Sequence, residues 1–154
     1  MEYRPNVAIL LVREDDKILV CERLKVKGAW QFPQGGVDEG ETLEEALKRE
    51  VQEEISVSPE SYDILEMRGG YRYVYPDSIK KKKRSKGWFD GQEQTYFRCL
   101  LHDSKAEIKI DREPREFRAV KWIKPCEFKL SWLPFFKREV YRKVLKDFFD
   151  VDLV

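Results

Sequence analysis

The sequence predicts one α+β domain in which helices flank a mixed β-sheet. Three observations predict it: several strand-like segments rich in Val, Ile and Tyr, an amphipathic helical segment in the first third of the chain, and a second one at its C-terminal end. The chain has 154 residues, the length of one ordinary domain, and contains no internal repeat or long linker. Residues 1–154 are therefore assigned to a single domain.

Short extended segments alternate with turns at the N-terminal end of the chain. Two of them, residues 6–12 and 18–21, are separated by an Asp-Asp pair and predict a β-hairpin. Residues 30–32 predict a short strand that ends at a proline. The glycine-rich residues 34–41 that follow predict a loop.

The first helix is predicted at residues 43–55. Thr42 and Glu45 have the spacing of a capping box, in which each side chain bonds the backbone N–H of the other residue. Apolar residues then recur at helical spacing, at Leu43, Ala46, Leu47, Val51 and Ile55.

The remaining segments predict the rest of the sheet and a closing helix. Those predicted as strands are residues 62–66, 71–75, 92–101, 107–110 and 117–123. The basic residues 79–88 predict a loop. Pro134 precedes apolar residues at every fourth position, which predicts a second long helix through Phe136, Val140, Val144 and Phe148.

Composition excludes several classes of function. Thirty Lys and Arg against 29 Asp and Glu give a formal net charge of +1, so the chain is not a polycation of the histone kind. No apolar stretch is long enough to span a bilayer and no signal peptide is evident, so we expect a cytoplasmic protein without membrane contact. A single histidine, His102, excludes histidine-rich zinc sites and a Ser-His-Asp triad. The cysteines Cys21, Cys99 and Cys126 lack CxxC spacing and are expected to be reduced.

Three glutamates of the predicted helix lie on or beside its apolar face. On a helical wheel, Glu50 and Glu54 project into the apolar stripe and Glu53 lies at its edge. Burying clustered carboxylates without a counter-charge is unfavourable, and residues at i, i+3 and i+4 share a face, so the three can converge on a hard divalent cation. The alternative is that Lys48, Arg49 or the edge of the core satisfies them as ordinary ion pairs.

A longer pattern around these glutamates resembles the Nudix box, a loop-helix-loop motif that binds divalent metal and cleaves nucleoside diphosphates linked to another group. It consists of Gly35, five residues, Glu41, seven residues, Arg49-Glu50-Val51, then Glu53-Glu54 and Ser56-Val57. Ser56 departs from the pattern, because the family usually has glycine there. Ser58-Pro59 is an alternative stop for the helix. Since position 56 shapes the exit loop and holds no ligand, we expect this departure to cost little.

Three further segments are similar to the bacterial branch that contains RNA pyrophosphohydrolases and diadenosine tetraphosphate hydrolases. They are residues 3–7, 30–36 and 136–142, so the likeness spans nearly the whole chain and is weakest at 79–90. It implies the Nudix fold, an α/β/α sandwich with the box helix packed against a mixed sheet.

The resemblance also implies a metal site. Mg²⁺, with Mn²⁺ as a substitute, is expected to bind Glu50, Glu53 and Glu54 together with a backbone carbonyl near Gly35. Glu116 matches a distal acidic residue of the branch and is an expected extra ligand.

Catalysis requires a base as well as a metal. Glu50 is the expected general base and Glu116 is its rival, because sequence does not show which lies beside the water. Arg49 and Glu41 match the family's orienting ion pair, which would aim Glu50 without touching the substrate.

Residues that contact the substrate are implied in the same way. Arg4 and Arg23 match phosphate-binding positions, and Gln34 and Lys137 are further expected contacts. The aromatic pair Tyr73 and Phe136 is expected to stack on a base next to the 5′ end, the alternative being ordinary packing.

The basic run of residues 80–84, with Lys86, offers a path for an RNA backbone, the alternative being a solvated loop.

The function implied is hydrolysis of 5′-triphosphorylated or diphosphorylated RNA to a 5′-monophosphate end, which initiates mRNA decay. Hydrolysis of dinucleoside polyphosphates or nucleoside triphosphates is the alternative, since the same motifs serve both. A nucleotide-binding regulator without turnover is a more remote alternative, because all the box glutamates are present. The expected partner is phosphorylated RNA or a nucleotide, and monomer and homodimer both stay open.

Overall fold

The computed structural model describes residues 1–84 and 89–154. The strands are β1 Tyr3–Val12, β2 Ile18–Arg23, β3 Trp30–Gln31, β4 Gln34–Gly36, β5 Tyr62–Val74, β6 Gly91–Leu101 and β7 Phe117–Ile123. The helices are α1 Leu43–Ile55, α2 Asp77–Arg84 and α3 Phe135–Phe149.

The strands form one mixed sheet. Its main order is β3-β2-β1-β6-β5, with β4 paired to β1 and β7 paired to β2. The long β1–β6 pair is parallel and the other pairs are antiparallel. The prediction of an α+β fold with a mixed sheet is confirmed.

Alternation along β1 divides the core into two layers. Val7, Ile9 and Leu11 pack with α1 on one face of the sheet. Their neighbours of even number, Ala8, Leu10 and Val12, pack with α3 on the other face. Because successive side chains of a strand point to opposite faces, the same alternation assigns every polar residue of β1 to the α1 face or the α3 face.

Several element predictions are confirmed. The β1–β2 pair is the predicted hairpin, α1 and β7 have the predicted bounds, and α3 is the predicted closing helix. Thr42 accepts from the backbone N–H of Glu45, and Glu45 accepts from that of Thr42, so the predicted capping box is present.

One strand prediction is wrong and a pair of others is wrong in part. Residues 107–110 form no strand, although Ile108 and Ile110 pack against the α1-face core and therefore mimic strand alternation. Residues 62–66 and 71–75 belong to one strand, β5, interrupted by two register shifts against β6. Gly70 has φ +86° at the second shift, a conformation that glycine adopts without a steric penalty.

Two loop predictions are also wrong in part. Residues 34–36, predicted within a loop, form β4 because their backbone pairs with β1. Residues 79–84, predicted as loop, belong to α2, which begins where the carbonyl of Pro76 accepts from the N–H groups of Ile79 and Lys80, both at 2.9 Å. The rest of the predicted loop, residues 85–88, lies outside the described residues.

The α1 helix ends at Ile55, before the alternative stop at Ser58-Pro59. Ser56 caps it with φ +59° and donates its N–H to the carbonyl of Gln52 at 3.2 Å. This is the left-handed conformation that usually calls for glycine.

None of the helices in residues 1–84 and 89–154 is long and apolar enough to cross a membrane.

The Ser56→Gly variant is expected to unfold with a free energy about 1 kcal/mol higher than wild type, because glycine carries no Cβ penalty at positive φ. Urea denaturation measures it. Ser58→Gly is the control, since Ser58 has φ −72° and glycine there should lower stability. Equal effects of the two substitutions would contradict the interpretation.

Candidate functional site

The four predicted glutamates line one pocket. Glu50, Glu53 and Glu54 project from the second half of α1, and Glu116 faces them from the segment before β7. The pocket has a volume of about 220 Å³, and its remaining lining is Arg112, Glu113 and Pro114. The carbonyl of Glu116 accepts from the N–H of Leu24 at 2.9 Å, which fixes this segment to the end of β2.

The side chains of the α1 glutamates are buried to different degrees. The side chain of Glu53 is 48% exposed and that of Glu50 is 16% exposed. Glu54 is half-buried, and its Oε2 is a buried atom that has no hydrogen-bond partner among the described residues. A buried carboxylate oxygen without a partner is rare in a folded protein, so this atom calls for a ligand.

Gly35 of β4 lets α1 come this close to the sheet. A Cβ at this position would overlap the carboxylate of Glu50. Glycine is therefore required for close approach here.

Arg49 is the centre of the ion pairs around the pocket. Its Nε and Nη2 donate to the two carboxylate oxygens of Glu41, at 2.7 and 2.9 Å. Its Nη1 donates to Glu50 at 2.8 Å and approaches Glu53 at 3.4 Å. Its Nη2 also donates to the carbonyl of Gly36 at 2.9 Å. Arg49 thus connects the loop, the helix and β4 in one charged network.

The pKa values differ sharply among these acids. Hydrogen bonds from Arg49 lower the pKa of Glu41 to about 2. Burial, with the nearby carboxyls of Glu50 and Glu116, raises the pKa of Glu54 to about 9, against an opposing contribution from the backbone N–H of Gln34. Burial also raises the pKa of Glu50, although Arg49 opposes the change. Glu54 therefore holds a proton at neutral pH in the absence of a cation.

The donor set fits a hard divalent cation. Among residues 1–84 and 89–154, no three Asp, Glu, His or Cys side chains are already arranged to hold a metal ion, and Arg49 forms ion pairs with Glu50 and Glu53. Even so, the pocket gathers carboxylate oxygens, one of them buried and without a partner, and carboxylates are the ligands that Mg²⁺ and Mn²⁺ prefer.

Most of the predicted substrate contacts lie on the α3 face of the sheet. Arg4 pairs with Gln92, and Gln34 with Ala8, so both side chains belong to the face that packs with α3. The guanidinium of Arg4 lies against Gly36, where a Cβ would overlap it. Acidic and cationic groups thus lie on opposite faces and meet at β4.

The predicted aromatic pair lies beside this face. Tyr73 is 7% exposed, and its ring centroid is 5.7 Å from that of Phe136, which is half-buried. Nζ of Lys137 lies 5.7 Å from the Tyr73 ring and 5.9 Å from the Phe136 ring. A base between the two rings would need them about 7 Å apart and parallel, so in this structure they pack against each other, and a base can stack only on the outer face of Phe136.

Arg23 and the basic run lie further out. Arg23 is exposed at the end of β2, opposite Phe117 and next to the Leu24 N–H that holds Glu116. Lys80 and Lys81 lie on α2, next to Ile79, which packs against the α3-face core. Lys86 lies outside the described residues.

Sequence reasoning missed a buried polar group beside the site, formed by Asn6, Gln94 and Tyr96. Asn6 and Gln94 are 2% and 3% exposed, and together with Tyr96 they extend to Gln34. A polar residue at an inward position of an otherwise apolar strand could have revealed Asn6 and Gln94. Arg112 and Glu113, at the mouth of the acidic pocket, had no such signal because both lie in irregular backbone.

Comparisons with known proteins agree with this architecture. A family profile described as NUDIX domain matches residues 2–147. The chain is 38% identical over 152 residues to an RNA pyrophosphohydrolase of Erythrobacter litoralis, covering 96% of this chain and 92% of that one. It is 39% identical over 151 residues to an RNA pyrophosphohydrolase of Helicobacter pylori, covering 96% and 94%.

Solved structures with low sequence identity share the fold. The dihydroneopterin triphosphate pyrophosphohydrolase of E. coli matches with a TM-score of 0.67 and 18% identity, covering 96% of this chain and 97% of that one. The Ap4A hydrolase of C. elegans matches with a TM-score of 0.64 and 18% identity, covering 92% and 94%.

The stability of the metal-free protein is expected to fall as pH rises from about 5 to 9. Glu54 has a pKa of about 9 in the folded state against an ordinary value of 4.5, so the folded state binds the extra proton across this interval. Thermal melts in a chelator measure the slope. Glu54→Gln should flatten it, whereas Glu44→Gln, an exposed neighbour on α1, should not. A slope unchanged by Glu54→Gln would contradict the assignment.

Gly35→Ala and Gly36→Ala are expected to affect different faces of the sheet, and only the first should affect Mg²⁺ binding. Alanine at 35 displaces the Glu50 carboxylate, so the rise in melting temperature on adding millimolar Mg²⁺ should disappear. Alanine at 36 displaces Arg4 instead, so the Mg²⁺-dependent rise should persist. Thermal melts with and without Mg²⁺ measure both, and a Gly35→Ala protein that keeps the full rise would contradict the metal site.

Proposed function

The chain belongs to the Nudix family of hydrolases, and on that basis we propose that it hydrolyses the 5′-triphosphate or 5′-diphosphate end of RNA to a 5′-monophosphate, the step that initiates mRNA decay. One observation carries the proposal: at β4, the acidic pocket of the α1 face meets cationic and aromatic side chains of the α3 face. The names of the curated relatives supply the substrate class.

The reaction requires charge neutralisation, because a phosphoanhydride repels nucleophiles with its own negative charge. We propose Glu50, Glu53, Glu54 and Glu116, with a carbonyl near Gly35, as the residues that would hold a divalent cation. Mg²⁺, or Mn²⁺ in its place, would neutralise the phosphate oxygens.

Glu50 is proposed as the general base. Water attacks phosphorus, the P–O–P bond breaks with release of pyrophosphate from a triphosphate end or phosphate from a diphosphate end, and the proton of the water passes to the Glu50 carboxylate. The raised pKa of Glu50 makes it a stronger base than a solvated glutamate. Arg49, itself held by Glu41, fixes the Oε1 of Glu50 through a 2.8 Å hydrogen bond. Glu116 is the rival base, because it faces the same pocket.

The α3 face is proposed to bind the 5′ end of the transcript. Arg4 and Lys137 would contact the phosphates, with Arg23 approaching from the end of β2. The outer face of Phe136 would stack on a base. Lys80 and Lys81 of the basic helix α2 would follow the RNA backbone.

The substrate class is tested by comparing turnover of three substrates under identical Mg²⁺ conditions: an RNA with a 5′-triphosphate, the same RNA with a 5′-diphosphate, and diadenosine tetraphosphate. We expect the highest kcat/KM on RNA ends, with 5′-monophosphate RNA as product. Glu54→Gln should lower turnover about 100-fold or more while the fold survives, because it removes one ligand charge without changing shape. Preference for diadenosine tetraphosphate would favour the alternative, and binding without turnover would favour a regulator.

Phe136→Ala is expected to weaken turnover of RNA selectively. Stacking on a base is worth about 1–3 kcal/mol, and a mononucleotide such as GTP has no second base to stack. Phe149→Ala is the matched control, because Phe149 is half-buried in the same core at the other end of α3. The measurement is the ratio of kcat/KM on RNA to that on GTP. Equal losses on both substrates would assign Phe136 to packing alone.

A further inference from the structure

We propose that Asn6, Gln94 and Tyr96 are positioning residues that fix the orientation of the Gln34 carboxamide, so that its Nε2 donates a hydrogen bond to an acceptor oxygen of the substrate's 5′ nucleotide. This inference rests on the proposed function in one respect: the substrate must carry the oxygen that accepts from Nε2 of Gln34.

The four side chains form a continuous hydrogen-bonded chain. The Tyr96 hydroxyl donates to Oε1 of Gln94 at 2.9 Å. Nε2 of Gln94 donates to Oδ1 of Asn6 at 3.0 Å. Nδ2 of Asn6 donates to Oε1 of Gln34 at 2.6 Å. Each of the first three side chains therefore donates a hydrogen bond to the next one, and all three bonds run in the same direction.

This direction determines which atom of Gln34 lies at the outer end. A carboxamide has one acceptor atom and one donor group, so using Oε1 towards Asn6 turns Nε2 the other way. If the chain ran in reverse, Gln34 would present its oxygen and repel phosphate and carbonyl oxygens. The polarity of a buried chain therefore selects for acceptor groups in the substrate.

Burial and strand register hold the chain in place. Asn6 of β1 pairs directly with Gln94 of β6, and Tyr96 lies next to them on the same face, fully buried. A broken link would leave a buried polar group unsatisfied, which is unfavourable, so the four side chains are held together as one unit.

Gln34 is well placed to use this orientation. Its side chain lies on the α3 face, with Arg4 and the aromatic pair. Its backbone N–H faces the carboxyl of Glu54 on the α1 face. The residue therefore contacts both halves of the site, and an acceptor bound by Nε2 would lie next to the reacting phosphates.

The direction of the chain is tested first, without reference to activity. Hydrogen-bond scalar couplings in the labelled full chain should connect the ¹⁵Nδ2 of Asn6 with the ¹³Cδ of Gln34. A coupling between the Nε2 of Gln34 and the ¹³Cγ of Asn6, or none in either direction, would overturn the proposal. This result holds whether or not RNA is the substrate, so it separates failure of this inference from failure of the proposed function.

The consequence for the substrate is tested by a double-mutant cycle. Asn6→Asp has no donor, so Gln34 must turn its Nε2 inward and present oxygen, which should lower kcat/KM on 5′-triphosphate RNA about tenfold, chiefly through KM. Gln34→Met removes the donor and should cause a similar loss. In the Gln34→Met background, Asn6→Asp should cause no further loss. Additive losses would assign Asn6 to structure alone and overturn the proposal.

A milder pair of variants guards against a folding defect in Asn6→Asp. Tyr96→Phe removes the first donor of the chain and should raise KM about threefold. Tyr71→Phe is the matched control, since its hydroxyl bonds Asp147 at 2.7 Å, outside the chain, and kcat/KM should not change. Equal KM values in the two variants would contradict the proposal.

Discussion

The site depends on the cost of burying two carboxyl groups on one face of α1. Glu50 and Glu54 occupy positions where the helix otherwise packs apolar side chains against the sheet. Without a cation, Arg49 partly compensates Glu50, and Glu54 stays neutral by keeping its proton. The fold thus tolerates the pair only by protonation or by a counter-charge, and a divalent cation supplies the counter-charge that the proposed chemistry needs.

The acidic residues and the proposed substrate-binding residues of the site lie on opposite faces of the sheet, and both groups reach β4. The α1 face carries the acids, whereas the α3 face carries Arg4, Gln34 and the aromatic cluster. Gly35 admits the Glu50 carboxylate and Gly36 admits the Arg4 guanidinium, because neither position has room for a Cβ. Because the two adjacent glycines face opposite sides of the sheet, the Glu50 carboxylate and the Arg4 guanidinium approach the same strand from opposite sides. This arrangement suits a substrate that needs both a divalent cation and cationic side chains nearby.

Periodicity and motif spacing were sufficient to predict the helix α1, the shared side of its glutamates and the mixed sheet, whereas the family resemblance supplied Glu116, which lines the same pocket. They failed where tertiary context decides. Residues 107–110 alternate like a strand yet only pack on the core, and the basic segment begins as α2 because Pro76 caps it. The contact between Tyr73 and Phe136 and the buried chain through Asn6 depend on register between distant strands, which no local pattern encodes. The roles of the individual site residues stay predictions.

The central claim is that a divalent cation takes the place of the proton on Glu54. Calorimetric titration of the metal-free protein with Mg²⁺ at pH 7, in two buffers of different ionisation enthalpy, counts the protons released. Release of about one proton per bound cation is the result this account predicts, because the pKa of Glu54 lies near 9 before the cation binds. The same titration of Glu54→Gln should release none. Binding of Mg²⁺ by the wild-type protein without proton release would contradict the account.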